Sequence, residues 1–335
     1  MSVIIGGGSG FVGCAFAQLL RRNGFQPIIL GRSVRPTKME VKFVTWKQLT
    51  ETGLPNDCEA VVNLAGANIL DPWKRFPGYK KEVYESRINT TKRLVEMIDA
   101  SKHKPKTWVS GSAIGYYSTK PTNEYDEFSN HGNDSTFVVQ LCKDWESAAA
   151  LGTEESREKV RSVVIRTGIV LGRSGGMIQS LFLPFYFGTG GPVGNGSQWL
   201  SWIHIDDMSR LLFHAIKSPQ CHGVLNATAP QPCTNAEFAS AFGRALWRPA
   251  FLPMPVFVMK AVYGAERAAM ILEGARILPT RTLESGFKFK YETISDACRE
   301  FARFSYTEDE SQRLIQPSSR TEPNELEDFR VTKVS

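Results

Sequence analysis

The stretch VIIGGGSGFVG, Val3 to Gly13, decides how this sequence is read. Three β-branched residues make a short strand, Gly7, Gly10 and Gly13 follow at GxxGxxG spacing, and a segment of helical period runs on through Leu20. In such a strand, turn and helix each glycine has a physical task. One permits the tight turn, one lets the backbone approach a pyrophosphate, and one lets the helix pack close to the strand, while the unpaired amides of the helix N-terminus face the phosphates. The turn predicts a dinucleotide site at Gly7, Gly10, Phe11, Val12 and Gly13. The next strand ends IILGRS, and the position where a carboxylate would take the ribose hydroxyls holds Gly31 and Arg32. A guanidinium pairs with a 2′-phosphate that an Asp would repel. NADP(H) is therefore expected over NAD(H), with Arg35 as a second phosphate contact.

Outward from that turn, short β-branched runs alternate with helical segments. Strands are expected at 3–5, 27–30, 41–46, 60–64, 107–110, 161–166 and 223–226, with helices near 11–23, 79–103, 137–151 and 206–217. This alternation predicts an α/β fold, a Rossmann doubly wound parallel sheet. Past about residue 170 the pattern changes to Gly/Pro-rich loops and helices at 235–247, 256–273 and 293–304. The expected division is a cofactor domain over 1–170, completed by about 200–228, and a smaller C-terminal substrate lobe over most of 171–304. Gly190 to Gly196, followed by Trp199 and Trp202, reads as a flexible lid with aromatic walls. The polar segment 305–335 reads as a disordered tail.

Composition narrows the function classes. With 42% hydrophobic and 22% charged residues the chain is neither disordered nor fibrous. The net charge of +6 is spread without a long basic block, so nucleic acid is not an expected partner. Six cysteines without CxxC spacing suggest reduced thiols and no metal site. No run of about 18 apolar residues predicts a membrane span, and a strand starting at Val3 leaves no room for a leader. The cytoplasm is the expected location, with organelle import left open.

Four further motifs lie in order along the chain: VVNLAG at 61–66, VSGSAIGYY at 109–117, WIHIDD at 202–207, and LEGARILPTRTLESGF at 272–287, with Ser86-Arg87-Ile88 between the first two. Together with the glycine turn they make residues 1–304 resemble the atypical short-chain dehydrogenases/reductases, in the sugar-nucleotide-epimerase and cell-division-inhibitor-like branch. The resemblance implies that Leu64, Ala65 and Gly66 line the adenosine side of a cofactor groove. It also implies that Glu82 and Arg87 face the dinucleotide from the following helix, and that Val170 sits near the nicotinamide. A homodimer through paired helices is the analogy the family offers.

Enzymes of that superfamily use a Tyr as general acid/base, a Lys four residues later that lowers its pKa, and an upstream Ser that orients the substrate oxygen. Ser112 matches the serine. With Glu146 aligned to the usual acidic residue after the motif, Val138 stands where the Tyr should be and Cys142 where the Lys should be. The standard pair is missing. Substitutes are Tyr116 or Tyr117 as proton donor, Cys142 as a nucleophile or weak acid, and, with less in its favour, His204 of WIHIDD. Two functions stay open at this point. One is an NADP(H)-dependent oxidoreductase or epimerase-like enzyme acting on a small carbonyl, hydroxyl or nucleotide-sugar substrate. The other is a non-catalytic NADP(H)-binding redox sensor or interaction module.

Overall fold

Strands that alternate with helices pair in parallel, because each crossover helix returns the chain to the edge where the previous strand began. The computed structural model, which describes residues 1–32, 41–70, 78–117, 124–131 and 136–303, follows this rule. Strands β1 (Ser2–Gly6), β2 (Gln26–Gly31), β3 (Lys42–Thr45), β4 (Cys58–Asn63) and β5 (Thr107–Ala113) join Arg161–Thr167 and Gly223–Ala227 in one seven-stranded sheet. Its spatial order is Gly223–Ala227, Arg161–Thr167, β5, β4, β1, β2, β3, and every neighbouring pair is parallel. The chain leaves β1 toward β2 on one side and later returns to β4 on the other. The crevice for a ligand therefore opens between β1 and β4 at their C-terminal ends.

Helices cover both faces, and the period of two within β1 decides which side chain meets which. Val3 and Ile5 join Phe16 and Leu20 of helix α1 (Phe11–Arg22) and Leu211 of Ile205–Lys217 in one buried cluster. Ile4 joins Leu94 and Ile98 of helix α3 (Tyr79–Ala100) and Trp108 in another. A third cluster lies outside the sheet. Phe185, Phe238, Phe242 and Phe301, from Gly176–Tyr186, Asn235–Ala245 and Ile294–Phe301, pack together with Trp202 of the short strand Trp202–His204.

His204 joins this outer core to the sheet. Its ring is buried, stacks on Phe301 with centroids 5.2 Å apart, and places Nε2 3.3 Å from Glu300 Oε2. Its Nδ1 accepts the Asp206 amide and so caps Ile205–Lys217. These contacts make His204 a joint between two packing units, with both ring nitrogens engaged.

Several expectations need correcting. The third strand stops at Thr45 instead of Trp46, because Thr45 and Gln48 form a reciprocal capping box that starts helix α2 (Trp46–Thr52). The single helix expected over 256–273 is two, Val256–Tyr263 and Ala265–Leu272, parted at Gly264, whose φ of +79° lies in the left-handed region. The fifth strand runs three residues past Ser110, which puts Ser112 in register with Arg166 on the neighbouring strand. The glycine-rich loop expected as a lid is pinned along its length. Met254 N donates to Pro192 O at 2.7 Å, Gly194 N to Met254 O at 2.9 Å, and Val193 N to Asn235 Oδ1 at 2.7 Å. Arg35 and the tail lie outside the described residues.

Candidate functional site

The glycine turn stands at the switch between β1 and β4, and its glycines differ in how tightly they are held. Gly7 has φ +74°, and a β-carbon there would stand 2.7 Å from the carbonyl carbon of Leu64 and 2.8 Å from Ala65 N. At Gly13 a β-carbon would come within 2.5 Å of Gly7 O and 2.6 Å of Gly8 Cα, so α1 can lie against the turn only because this position has no side chain. Gly10 is looser, with Gly7 O at 3.3 Å, and serves as the N-cap of α1 without a side-chain hydrogen bond. The first turn of α1 therefore presents bare amides into the crevice, the arrangement an anionic phosphate requires. Phe11 closes one end. A β-carbon at Gly172 would lie 2.7 Å from its ring and one at Gly175 2.5 Å, so the turn after strand Ile169–Gly172 packs flat on Phe11. Val12 is half-buried against the sheet core, as is Val170 within Ile169–Gly172.

The opposite wall, residues 64–67, is shaped from α3. Leu64 N donates to Gly6 O at 2.8 Å, and Ala65 N to Asn63 Oδ1 at 3.1 Å. Asn63, fully buried, in turn donates to Thr91 Oγ1, which also accepts the Trp145 indole N–H. Ser86 Oγ accepts Ala67 N at 3.0 Å, while Arg87 Nη1 donates to Ala67 O at 3.1 Å and Val83 O at 3.0 Å. The Arg87 guanidinium lies so close to Gly66 that a β-carbon there would be 2.9 Å from its Cζ. The Ser86-Arg87 pair thus clamps the loop from both sides, and burial pulls the Arg87 guanidinium below its ordinary pKa. Glu82 occupies the first turn of α3, half-buried. Across the crevice, Gly31 ends β2 and Arg32 follows it, exposed.

The other half of the crevice is built from side chains. Ser112 Oγ donates to Glu146 Oε1 at 2.7 Å; Glu146 is on helix α4 (Phe137–Ala148). Arg166 grips the same carboxylate from two directions, Nε to Oε1 at 2.8 Å and Nη2 to Oε2 at 2.9 Å. Its Nη1 donates to the Tyr117 hydroxyl at 2.9 Å, and that hydroxyl donates to Asn226 Oδ1 at 2.9 Å. Glu127, also buried, accepts Asn226 N, Thr282 N and Thr282 Oγ1 on one oxygen and Arg281 N on the other. Burial alone would lower the Arg166 pKa; the Glu146 carboxylate and the Tyr117 hydroxyl outweigh it and hold the guanidinium above its ordinary value.

This network decides what each candidate acid can do. Tyr117 is 1% exposed, its hydroxyl is engaged on both sides, and burial pushes it up to about 12 against the opposing pull of Arg166. Cys142 is likewise 1% exposed, and burial, then the Glu146 charge, pushes its thiol up to about 12. Val138 and Cys142 pack instead against the turn Ile114–Tyr116, where a β-carbon at Gly115 would collide with Val138 and reach 3.7 Å from Cys142 Sγ. A thiolate nucleophile does not fit that environment. Tyr116 is the half-exposed phenol of the group, with the Arg166 guanidinium 3.4 Å above its ring centroid and His131 against its edge.

In the sequence Glu146 serves only as an alignment marker, and Asn63, Arg166, Asn226 and Glu127 do not stand out as site residues. A signal for three of them was present. Asn63, Ser112, Arg166 and Asn226 are polar residues at or near the C-terminal ends of four consecutive sheet positions, and that is where ligands of parallel sheets bind.

Comparison with known proteins agrees with this architecture. The model of the NAD dependent epimerase/dehydratase family matches residues 3–227, and that of a domain of unknown function, DUF1731, matches 254–301. The chain is 44% identical over 302 residues to the epimerase family protein SDR39U1 of Bos taurus, covering 90% of this chain and 99% of that one. It is 38% identical over 307 residues to the SDR39U1 homolog, chloroplastic, of Arabidopsis thaliana, covering 89% and 86%. The crystal structure of human epimerase family protein SDR39U1 (isoform2) with NADPH is 43% identical and matches with a TM-score of 0.84 over 90% of this chain and 99% of that one. UDP-N-acetylglucosamine 4-epimerase from Bacillus cereus, 19% identical, matches with a TM-score of 0.69 over 90% and 98% and shares the fold. Among the described residues no helix is long and apolar enough to cross a membrane. A family model spanning the whole sheet, and relatives matched over about nine-tenths of the chain, lead to one conclusion: this chain belongs to the NAD-dependent epimerase/dehydratase family.

Proposed function

We propose that the chain binds NADP(H) across the C-terminal ends of β1, β2 and β4 and is an oxidoreductase or epimerase-like enzyme acting on a small carbonyl, hydroxyl or nucleotide-sugar compound. The observation that carries this reading is the cradle at Gly7 and Gly13, where a β-carbon would strike main-chain atoms and the bare amides of α1 face the opening. In this reading Gly7, Gly10, Phe11, Val12 and Gly13 surround the pyrophosphate. Gly31 and Arg32 take the 2′-phosphate, Leu64, Ala65 and Gly66 run beside the adenosine, and Val170 lies toward the nicotinamide. Arg87 acts by holding the wall at 64–67 in shape, with Glu82 a turn earlier on the same helix.

Bound NADP(H) supplies or takes up a hydride; the residues of this chain position the substrate and move the proton. The Ser112 hydrogen is directed at Glu146, so Ser112 offers a substrate its lone pairs and accepts a hydrogen bond from a hydroxyl. Tyr116 is the proton donor and acceptor of the site. Tyr117 and Cys142 are supports, and the outer core around Trp202 and Phe242 carries the substrate lobe.

The test is a fluorescence titration of the protein with NADPH and NADH, for the natural chain and Arg32→Asp. NADPH preference that the variant abolishes is the expected result; no binding of either nucleotide overturns the reading. A second reading, a redox sensor without turnover, is favoured by one observation, the packing of Val138 against the turn at Gly115 and the burial of Cys142 at the places of the usual Tyr and Lys. Tyr116→Phe separates the two. An oxidoreductase loses NADPH oxidation with a carbonyl panel and an epimerase, whose hydride returns to the substrate, loses epimerisation of a nucleotide-sugar panel, each keeping its cofactor affinity, whereas a sensor shows neither turnover in either form.

A further inference from the structure

The C-terminal part of the chain carries an exposed apolar surface. Residues 251–257, Phe-Leu-Pro-Met-Pro-Val-Phe, are exposed without a break, with Phe251 74% and Phe257 72% accessible. The end of Gly176–Tyr186 adds Leu183 and Phe187. Three contacts make these stretches one face: Arg248 Nε donates to Tyr186 O at 2.9 Å, Gly188 lies against Pro249, and Met254 N donates to Pro192 O. Single exposed apolar side chains are ordinary, but a continuous face of this kind marks a contact surface.

Trp247 makes the case sharper. Helix Asn235–Ala245 ends with Trp247 N donating to Arg244 O and Arg248 N donating to Gly243 O, a termination that places one residue in the left-handed region and strongly favours glycine there. Trp247 occupies that position with φ +56°, and among the described residues it is the one non-glycine with positive φ. Its indole gains no burial in return, being 89% exposed. A large aromatic side chain displayed bare at a position that favours glycine is one that a contact outside the chain would use.

Charge says what kind. Between Glu237 and Glu266 the sequence holds Arg244, Arg248 and Lys260, all exposed, and no Asp or Glu; between Arg173 and Asp206 it holds no Asp, Glu, Lys or Arg. The face is apolar at its centre, aromatic and cationic at its edge. A second copy is disfavoured, because a two-fold contact would bring like charges together. We infer that this face seats the protein on the surface of a bilayer containing anionic phospholipid, with Trp247, Phe251 and Phe257 entering the headgroup region and the three cations meeting lipid phosphates. The expectation of no membrane partner rested on the lack of a long apolar run, a criterion for spanning helices that a surface-seated patch does not meet.

The test is flotation of the full chain with phosphatidylcholine vesicles, with and without a quarter phosphatidylglycerol. Binding should require the anionic lipid and fall at least tenfold in Trp247→Ser/Phe257→Asp, while Arg248→Glu/Lys260→Glu lowers it several-fold. Brominated lipid should quench tryptophan emission in the natural chain and much less in Trp247→Phe. Far-ultraviolet circular dichroism melts show that each variant is folded. Absence of vesicle binding overturns the inference, as does binding that survives loss of Trp247 and Phe257. Retention on polyglutamate without vesicle binding overturns it in favour of an acidic protein, and a concentration-dependent dimer that Phe257→Asp abolishes overturns it in favour of a second copy.

Discussion

The wall of the crevice made by β1, β4 and the glycine turn is a backbone structure, whereas the wall made by β5 and Arg161–Thr167 is a side-chain structure. On the first, exclusion of β-carbons at Gly7 and Gly13 sets the shape, and the groups that face a ligand are amides. On the second, Ser112, Glu146, Arg166, Tyr117 and Asn226 form one chain of hydrogen bonds around a buried ion pair. The shape of a backbone cradle survives any substitution that respects its glycines. A side-chain wall can exchange a catalytic Tyr and Lys for Val138 and Cys142 while its support persists. The family relation therefore speaks more strongly for the cofactor than for the chemistry.

The sharpest way to break this contrast is to break the ion pair. Glu146→Leu leaves Arg166 buried and unpaired and should cost about 3–5 kcal/mol of stability, read from urea unfolding. Adding Arg166→Met should recover part of that loss, and the double variant should still bind NADPH like the natural chain. Equal damage to NADPH binding would mean that the two walls are one unit.

Gly13→Val attacks the other wall. The new side chain meets Gly7 O and Gly8, which should lower stability by about 1–3 kcal/mol and lower NADPH affinity at least a hundredfold. Gly10→Ala, with 3.3 Å to its nearest neighbour, should cost less than tenfold. Similar losses at the two positions would show that the cradle is not what holds the nucleotide.

Alkaline pH probes the side-chain wall alone. Cys142 and Tyr117 are pushed up to about 12 in the fold, from ordinary values of 9.0 and 10.0. Folding keeps both neutral, so their contribution is complete below about pH 9 and is lost as the pH rises toward about 12, by roughly 1 kcal/mol per pH unit per group once the unfolded group ionises. Urea midpoints at several pH values should fall above pH 9, and Cys142→Ala should flatten the fall. A Cys142 that reacts with thiol reagent in the native protein at pH 8 would contradict its burial. The smallest effect is expected from Ser112→Ala, which removes one of the hydrogen bonds reaching the Glu146 carboxylate. It should cost about 1 kcal/mol in an unfolding titration and leave cofactor affinity unchanged.

From the sequence, the parallel sheet, the glycine cradle and the missing Tyr and Lys could all be read, because each is written in residues close together along the chain. A glycine that must bare its backbone, a β-branched run and a helix start act within a few positions of one another. Even α2, absent from the expected helices, has its start in Thr45 and Gln48, three residues apart. Tertiary structure alone decided that Tyr117 and Cys142 are sealed while Tyr116 is not, that the 190–196 loop is pinned, and that Phe187, Trp247 and Phe257 are all left exposed. Those outcomes depend on partners distant in sequence, such as Asn226, 109 residues from Tyr117, or Met254 beside Pro192. Burial and hydrogen bonding are properties of what surrounds a group, and those surroundings exist only once the chain has folded.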